Sequence, residues 1–255
     1  MNKTAIDIEL ATYLLRLADD NMVIGQRLGE YLTRAPELEE DLAVGNLALD
    51  HIGVAQHLYE YAAEAEGKGR SADDLAMLRS EREYSNCLLV EQPNGDFANV
   101  MARQFFFDAY QLVLWGALAA SHNPRLGGIA SQAEKEARYH LRHSSGWVIK
   151  LGDGTAESHQ RMQQGIDALW RFTAEPFEID ELEAELAMDC VATDASALRD
   201  DWETTVDRVL GEATLRRPED PYQASGGRSG IHTEHLGHML AEMQWMQRSY
   251  PGLEW

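Results

Sequence analysis

Acidic residues near the middle of long predicted helices are the side chains of this sequence best suited to chemistry. In a helical bundle such acids can hold two iron ions, when two helices each supply a Glu and two others each supply Glu-x-x-His. The spacing of three in that motif puts both side chains on one helix face, within reach of one ion. The candidate acids are Asp20, Asp50, Asp108 and Glu136.

The histidines do not complete the di-iron motif. None of the nine histidines follows an acid by three residues. At the two expected places the sequence reads Asp50-x-x-Gly53 and Glu136-x-x-Tyr139, so the imidazole is absent from both. The spacing therefore predicts degenerate di-iron positions and no di-iron centre in this chain.

Two further groups of histidines could bind a metal ion or form ordinary polar surfaces. Glu136, His140 and His143 share one predicted helix face. With Asp108 or Asp50 they could hold one zinc or iron ion, or they could form a hydrogen-bonded cluster within the protein. The second group drifts around its helix, which favours a solvated or partner-facing surface over a cage for one ion. It comprises His232, Glu234, His235, His238 and Glu242.

Other catalytic signatures are missing from the sequence. There is no Gly-x-Ser-x-Gly elbow, no P-loop and no Gly-x-Gly-x-x-Gly after a predicted strand. The loop SGGRSG at 225–230 could hold an anion through Arg228, although such stretches are more often simply flexible. Cys87 and Cys190 are too few for a disulfide framework or a Cys-x-x-Cys zinc site.

The helices that must position these residues lie between the seven prolines, because proline interrupts a helix. Strand-like alternation is nearly absent, so the predicted class is all-α. Longer loops are expected at 84–95 and 216–230. The stretch 179–215 is predicted to form two helices. The other proline-free stretches with a 3.6-residue apolar period are 5–33, 38–66, 96–120, 126–150, 155–174 and 231–248.

Turns near Ala35 and Asn123 would fold the first four long helices into two antiparallel pairs, the layout of a ferritin-like carboxylate bundle. Counting back from each turn puts Asp50 level with about position 20 and Asp108 level with about position 138. We therefore expect the four candidate acids at one level of the bundle. The predicted architecture is a single domain, 1–255, with a four-helix core at 5–150 and additional C-terminal helices at 155–248.

The charge balance limits the partners. The chain has 22 Lys and Arg against 43 Asp and Glu, a formal charge of −21. A polyanion binder needs a positive face, so neither nucleic acid nor an anionic membrane surface is expected as a main partner. No apolar run is long enough to span a bilayer, and the N-terminal residues lack the pattern of a signal peptide. We expect a cytoplasmic protein.

Several long stretches resemble a known family. They are LADDNMVIGQRLGEYLTRAPELEEDLAVGNLALDHIGVAQ, FANVMARQFFFDAYQLVLW, EKEARYHLRHSSGWVIKLGDGTAESHQRMQ, ALWRFTAEPF and HTEHLGHMLAEMQWMQRSYPG. Through them the chain resembles, over 5–255, the C-subunit family of the bacterial 1,2-phenylacetyl-CoA epoxidase. That family is ferritin-like and belongs with the bacterial multicomponent monooxygenases.

The resemblance implies a non-catalytic structural role. In that system a related A subunit holds the di-iron centre and binds phenylacetyl-CoA, and the core also contains a small B subunit. A reductase with FAD and an iron–sulfur cluster supplies electrons from NADPH. The resemblance thus implies no cofactor in this chain. Asp50 with Gly53, Glu136 with Tyr139, and Asp108 match positions of a lost site.

Two alternatives remain open from the residues. One is a metal-dependent ferritin-like oxidoreductase with a reduced acid and histidine site in this chain. The other is a stand-alone helical binding module. The oxidoreductase would use Asp50, Asp108, Glu136, His140 and His143.

Overall fold

The computed structural model describes residues 3–219 and 222–253. Over these residues the protein consists of helices and loops without a β-strand, which confirms the predicted all-α class. The helices are α1 Lys3–Tyr31, α2 Leu38–Glu66, α3 Ala72–Met77, α4 Phe97–Leu118, α5 Pro124–Gly152, α6 Ala156–Leu169, α7 Glu181–Met188, α8 Arg199–Glu212, α9 Glu234–Met243 and α10 Trp245–Ser249.

The chain divides into two compact units. The first contains the chain up to Pro93 together with the segment from Ser225 onward, and the second runs from Asn94 to Ala224. α9 and α10 therefore belong with the first hairpin, and α6 to α8 belong with the second. The single domain at 1–255, with its core at 5–150 and additional helices at 155–248, stays a prediction.

The first unit is built on a hairpin of α1 and α2. Asn21 bonds to His51 at 2.9 Å and Tyr59 to Asp19 at 2.6 Å, so residue numbers rise on one helix as they fall on the other and the pair is antiparallel. Gly25 permits close packing, because a Cβ there would lie 3.0 Å from the side chain of Ile52. Gly25 lies against Ala48, His51 and Ile52, so Asp50 is level with about position 25, more than one helical turn beyond the expected position 20.

The second unit is built on a hairpin of α4 and α5. Each helix begins at a capping side chain: Asp96 accepts from the Asn99 amide, and Asn123 accepts from the amide of Leu126. Pro124 follows as the first helical residue, where its missing N–H costs nothing. These local signals fix where both helices start and so which of their residues face each other.

An aromatic cluster joins α4 to the later helices of the second unit. Phe106 lies with its ring centroid 5.8 Å from that of Trp170 and 6.0 Å from that of Trp202. The Trp202 indole N–H also donates to the Phe106 carbonyl at 3.0 Å, which satisfies its buried donor. The cluster packs α8 against α4 through Phe106 and Trp202.

The expected loops agree with the structure where it describes them. Residues 84–95 contain no helix, and 216–230 contain only a single 3-10 turn, Gly227–Ser229. Positions 220 and 221 of the second loop lie outside the described residues. Within the described ranges, no helix is long and apolar enough to traverse a lipid bilayer.

Candidate functional site

Two adjacent acids of α1, Asp19 and Asp20, are fully buried. Asp19 accepts hydrogen bonds from the Tyr59 hydroxyl at 2.6 Å, from Arg79 Nη1 at 3.0 Å and from the backbone amide of Ser85 at 2.8 Å. Arg79 Nη1 bonds to Oδ2 of the Asp19 carboxylate, and Arg79 Nη2 contacts its Oδ1. Both oxygens of Asp19 are therefore held by protein donors, and its charge is balanced by a buried guanidinium.

Asp20 is held in the same way by the C-terminal segment. Arg228 donates from Nη1 to Oδ1 at 3.0 Å and from Nη2 to Oδ2 at 2.8 Å, and the Cys87 amide donates to Oδ1 at 2.7 Å. Burial raises the pKa of Asp20, while the Arg228 charge and these hydrogen bonds lower it by a smaller amount. The loop 225–230 thus holds an anion through Arg228, which was the less favoured interpretation of its sequence, and that anion is a carboxylate of the chain itself.

The residue facing α1 from the middle of α2 is His51. It is buried, and its Nδ1 lies 2.9 Å from Oδ1 of Asn21. The Asn21 amide nitrogen donates to the Leu17 carbonyl, so its oxygen faces the ring and His51 Nδ1 is the donor. Asp50 and Gly53 lie on a half-exposed side of the helix. The position three residues before His51 is Ala48, which is buried and offers no ligand atom.

In the second hairpin the buried acid is Asp108. Gln104 Nε2 lies 2.6 Å from its Oδ1, and the Ser144 hydroxyl lies 2.7 Å from its Oδ2. Burial raises the pKa of Asp108 to about 6, against smaller opposing effects of His140, Ser144 and Gln104. The expected level of Asp108 near position 138 is displaced along α5, since its hydrogen-bond partner on that helix is Ser144.

Glu136 and Tyr139 do not belong to this buried face, contrary to the sequence expectation. Glu136 is half-exposed and accepts from Gln132 on the surface at 2.8 Å, and the Tyr139 ring is 45% exposed. The reason is the register of α5, whose buried line has spacings of four and three. It contains Ala133, Ala137, His140, Ser144 and Val148.

The inward-facing motif positions are therefore Ala48-x-x-His51 and Ala137-x-x-His140. Each retains the imidazole and lacks the acid, whereas the sequence expectation was a retained acid and a lost imidazole at Asp50 with Gly53 and Glu136 with Tyr139. The correction follows from burial, because a bridging ligand must face the interior of its hairpin. The search of the sequence for an acid three residues before each histidine shows that the motif is incomplete. It does not show whether the acid or the imidazole is missing.

The residues present do not fit a di-iron centre. Such a centre uses four carboxylates and two histidines. In the first hairpin the buried acids of α1 are bound by Arg79 and Arg228, and His51 has no acid partner in its motif. In the second, Asp108 and His140 are present without the Glu of Glu-x-x-His. Neither hairpin by itself supplies the carboxylates that two irons require.

The single-ion alternative on α5 is not supported either. Among the described residues, Glu136, His140 and His143 do not bring three ligand atoms within 4.8 Å of one another. Glu136 is turned toward solvent and Gln132. The predicted oxidoreductase site would therefore lack Glu136 as a metal ligand from α5.

The C-terminal histidines divide into a buried one and a surface group. His232 Nδ1 lies 2.8 Å from Glu91 and its Nε2 lies 2.9 Å from the Tyr84 carbonyl. Glu234, His238 and Glu242 are exposed, as expected for a solvated helix face. The segment is thus attached to the loop 84–92 through His232, next to the Asp20–Arg228 ion pair.

Comparisons with known proteins identify the family of the chain. The family model described as phenylacetic acid catabolic protein matches residues 1–255. The chain is 51% identical over 247 residues to the protein of Escherichia coli (strain K12) that is named as the C subunit of 1,2-phenylacetyl-CoA epoxidase, with 97% of this chain and 99% of that protein covered. By both measures the chain belongs to the phenylacetic acid catabolic protein family.

Proposed function

We propose that this chain is a non-catalytic structural subunit of a multicomponent phenylacetyl-CoA 1,2-epoxidase, a ring-epoxidising monooxygenase of aerobic phenylacetate catabolism. The Escherichia coli relative is named as the C subunit of that enzyme. The observation that carries the non-catalytic role is the occupation of both buried acids of α1 by arginine, Asp19 by Arg79 and Asp20 by Arg228. A carboxylate held by a fixed guanidinium is not available as an iron ligand.

In this proposal the catalytic work belongs to a related A subunit that holds the di-iron centre. The chain described here packs beside it and fixes its geometry, because a reacting site needs rigid support around its ligands. The core also contains a small B subunit, and a reductase with FAD and an iron–sulfur cluster delivers electrons. The assembly operates in the cytoplasm, without nucleic acid or membrane as a partner.

Reconstitution of the epoxidase tests the proposal. This chain with the reductase alone is expected to form no epoxide from phenylacetyl-CoA, and activity is expected when the A subunit is added. The double variant Asp108→Asn with His140→Gln removes the last inward carboxylate and imidazole of the second hairpin. We expect the reconstituted complex to keep its activity within about twofold with this variant, once circular dichroism shows that it is folded.

The opposite results would overturn the proposal. Epoxide formed by this chain and the reductase without an A subunit would make it the catalyst. A loss of most activity in the folded Asp108→Asn, His140→Gln complex, at unchanged affinity for the A subunit, would place these residues in the chemistry.

A further inference from the structure

The outer side of α2 carries a largely exposed apolar line, with the Leu32 side chain of the same unit beside its Gly45. Its members are spaced by four, three, four and four residues, which puts them on one side of the helix over about 22 Å. Three of them are leucines with 71%, 62% and 68% of their surface exposed. This line, the Leu/Gly stripe, consists of Leu38, Leu42, Gly45, Leu49 and Gly53. Isolated exposed leucines are ordinary, but a continuous line of them indicates an interaction surface.

The two glycines of the stripe have no packing role inside the described chain. A Cβ added at Gly53 would meet no atom within 4 Å, and one added at Gly45 would meet only the Leu32 side chain at 3.4 Å, an ordinary contact. Glycine inside a helix is less favourable than alanine, so these two positions weaken α2 without relieving any clash. Small residues between exposed leucines form grooves into which the side chains of another helix can pack.

The charge of α2 selects the kind of partner. The helix contains seven acidic residues and neither Lys nor Arg. Glu39, next to Leu38 of the stripe, is exposed. Two copies of this face would bring like charges together, which costs free energy, so a second copy of the chain is a poor occupant. A helix with basic residues flanking its apolar ridge is complementary.

We propose that the Leu/Gly stripe docks an amphipathic α-helix of the catalytic partner subunit. Bulky apolar residues of that helix seat at Gly45 and Gly53 between the leucines, and its Lys or Arg side chains face Glu39. The inference rests on the proposed function, since it identifies the surface through which the chain would pair. It also gives Gly53 a role: it admits a neighbouring helix, and it is not the trace of a lost ligand.

Binding of the purified full chain to the purified A subunit tests the docking surface. We expect Leu42→Glu with Leu49→Glu, and separately Gly53→Leu, to weaken binding at least tenfold. The matched controls are Met188→Glu, at a residue 77% exposed in α7, and Gly146→Leu, at an exposed glycine of α5 whose added Cβ would also meet nothing. Both controls should bind within about twofold of the unchanged chain. Circular dichroism and the unfolding midpoint establish that each variant is folded.

Each contrary outcome has a distinct meaning. If the unchanged chain binds the A subunit and the stripe variants bind equally well, or lose no more than the controls, the docking surface is wrong and the proposed function stands. If the unchanged chain does not bind the A subunit, the proposed function itself fails. If the chain forms a dimer by sedimentation that Leu42→Glu with Leu49→Glu dissociates, the occupant is a second copy and the inference is overturned.

Discussion

Asp20 and Arg228 lie 208 residues apart in the sequence and form a two-pronged ion pair, with oxygen–nitrogen distances of 3.0 and 2.8 Å. The carboxylate is fully buried, and only 15% of the arginine side chain is exposed. A buried acid needs hydrogen bonds, a cation or a metal, and here the chain supplies a cation from its own C-terminal loop. The pair therefore fixes the 225–230 loop to α1 and occupies an acid that a metal could otherwise use.

Removal of the cation alone should destabilise the fold. Arg228→Met leaves Asp20 buried without its partner, and we expect a loss of about 3–5 kcal/mol in the free energy of unfolding, measured in urea. The double variant Asp20→Asn with Arg228→Met should recover most of that loss, because no uncompensated charge remains. A loss below about 1 kcal/mol for Arg228→Met would show that the pair does not hold the loop.

Asp108 should reduce stability at neutral pH. Its pKa of about 6 in the fold, against 3.8 as the reference value, corresponds to a cost on the order of 3 kcal/mol once it is ionised. Asp108→Asn keeps a neutral group that can bond both Gln104 and Ser144, so we expect equal or higher stability at pH 7.5. Ser144→Ala, which removes a hydrogen bond to the ionised carboxylate, is the comparison and should cost about 1.5–3 kcal/mol.

The pH dependence of this effect has a definite sign. Between about pH 4 and 6 the unfolded chain has released the Asp108 proton and the folded chain has not, so this group's contribution to stability falls as pH rises. The unfolding free energy of the Asp108→Asn protein should lack that component. If instead Asp108→Asn costs several kcal/mol at pH 7.5, the carboxylate balances a buried cation.

The contribution of His232 to stability should also fall as pH rises, in a higher pH range than that of Asp108. Burial lowers the pKa of His232. The hydrogen bond and charge of Glu91, together with the hydrogen bond to the Tyr84 carbonyl, raise this pKa by a larger amount, so it lies above 6.5. Both ring nitrogens face acceptors, which requires the cationic ring. Its stabilisation is therefore complete below the unfolded pKa and is lost as pH rises through the folded pKa.

Unfolding measured from pH 5.5 to 9 tests this assignment. His232→Gln should remove part of the decline in stability above neutral pH, whereas His238→Gln, at an exposed position of α9, should follow the unchanged protein. Identical pH profiles for all three proteins would mean that the pKa of His232 is the same in the folded and unfolded chain, against this assignment.

The long hairpins could be predicted from the sequence because their signals are local. Prolines and the 3.6-residue period place the second helix at 38–66, as observed, and the fourth and fifth within two residues at each end. The short α3 was not predicted, because it has only six residues and its main local signal is the capping box at its start. Ser71 and Asp74 cap each other's amides there, which leaves little periodicity to detect.

The site was predicted less well than the fold, for two physical reasons. The buried line of α5 includes Ala137 and Ser144, which are only weakly hydrophobic. The sequence pattern therefore did not show which side of α5 is buried. The arginine partners of Asp19 and Asp20 come from loops 60 and 208 residues away, beyond any helical spacing. Two adjacent acids between apolar residues of α1 were the available signal that buried partners for them must exist.

Iron analysis of the purified proteins tests the central claim most directly. The chain is expressed with iron, by itself and together with its A subunit, and iron per polypeptide is measured in each preparation after the two proteins are separated. The account predicts well below one iron per copy of this chain in both preparations, with the iron retained by the A subunit. Two tightly bound irons per copy of this chain would contradict it.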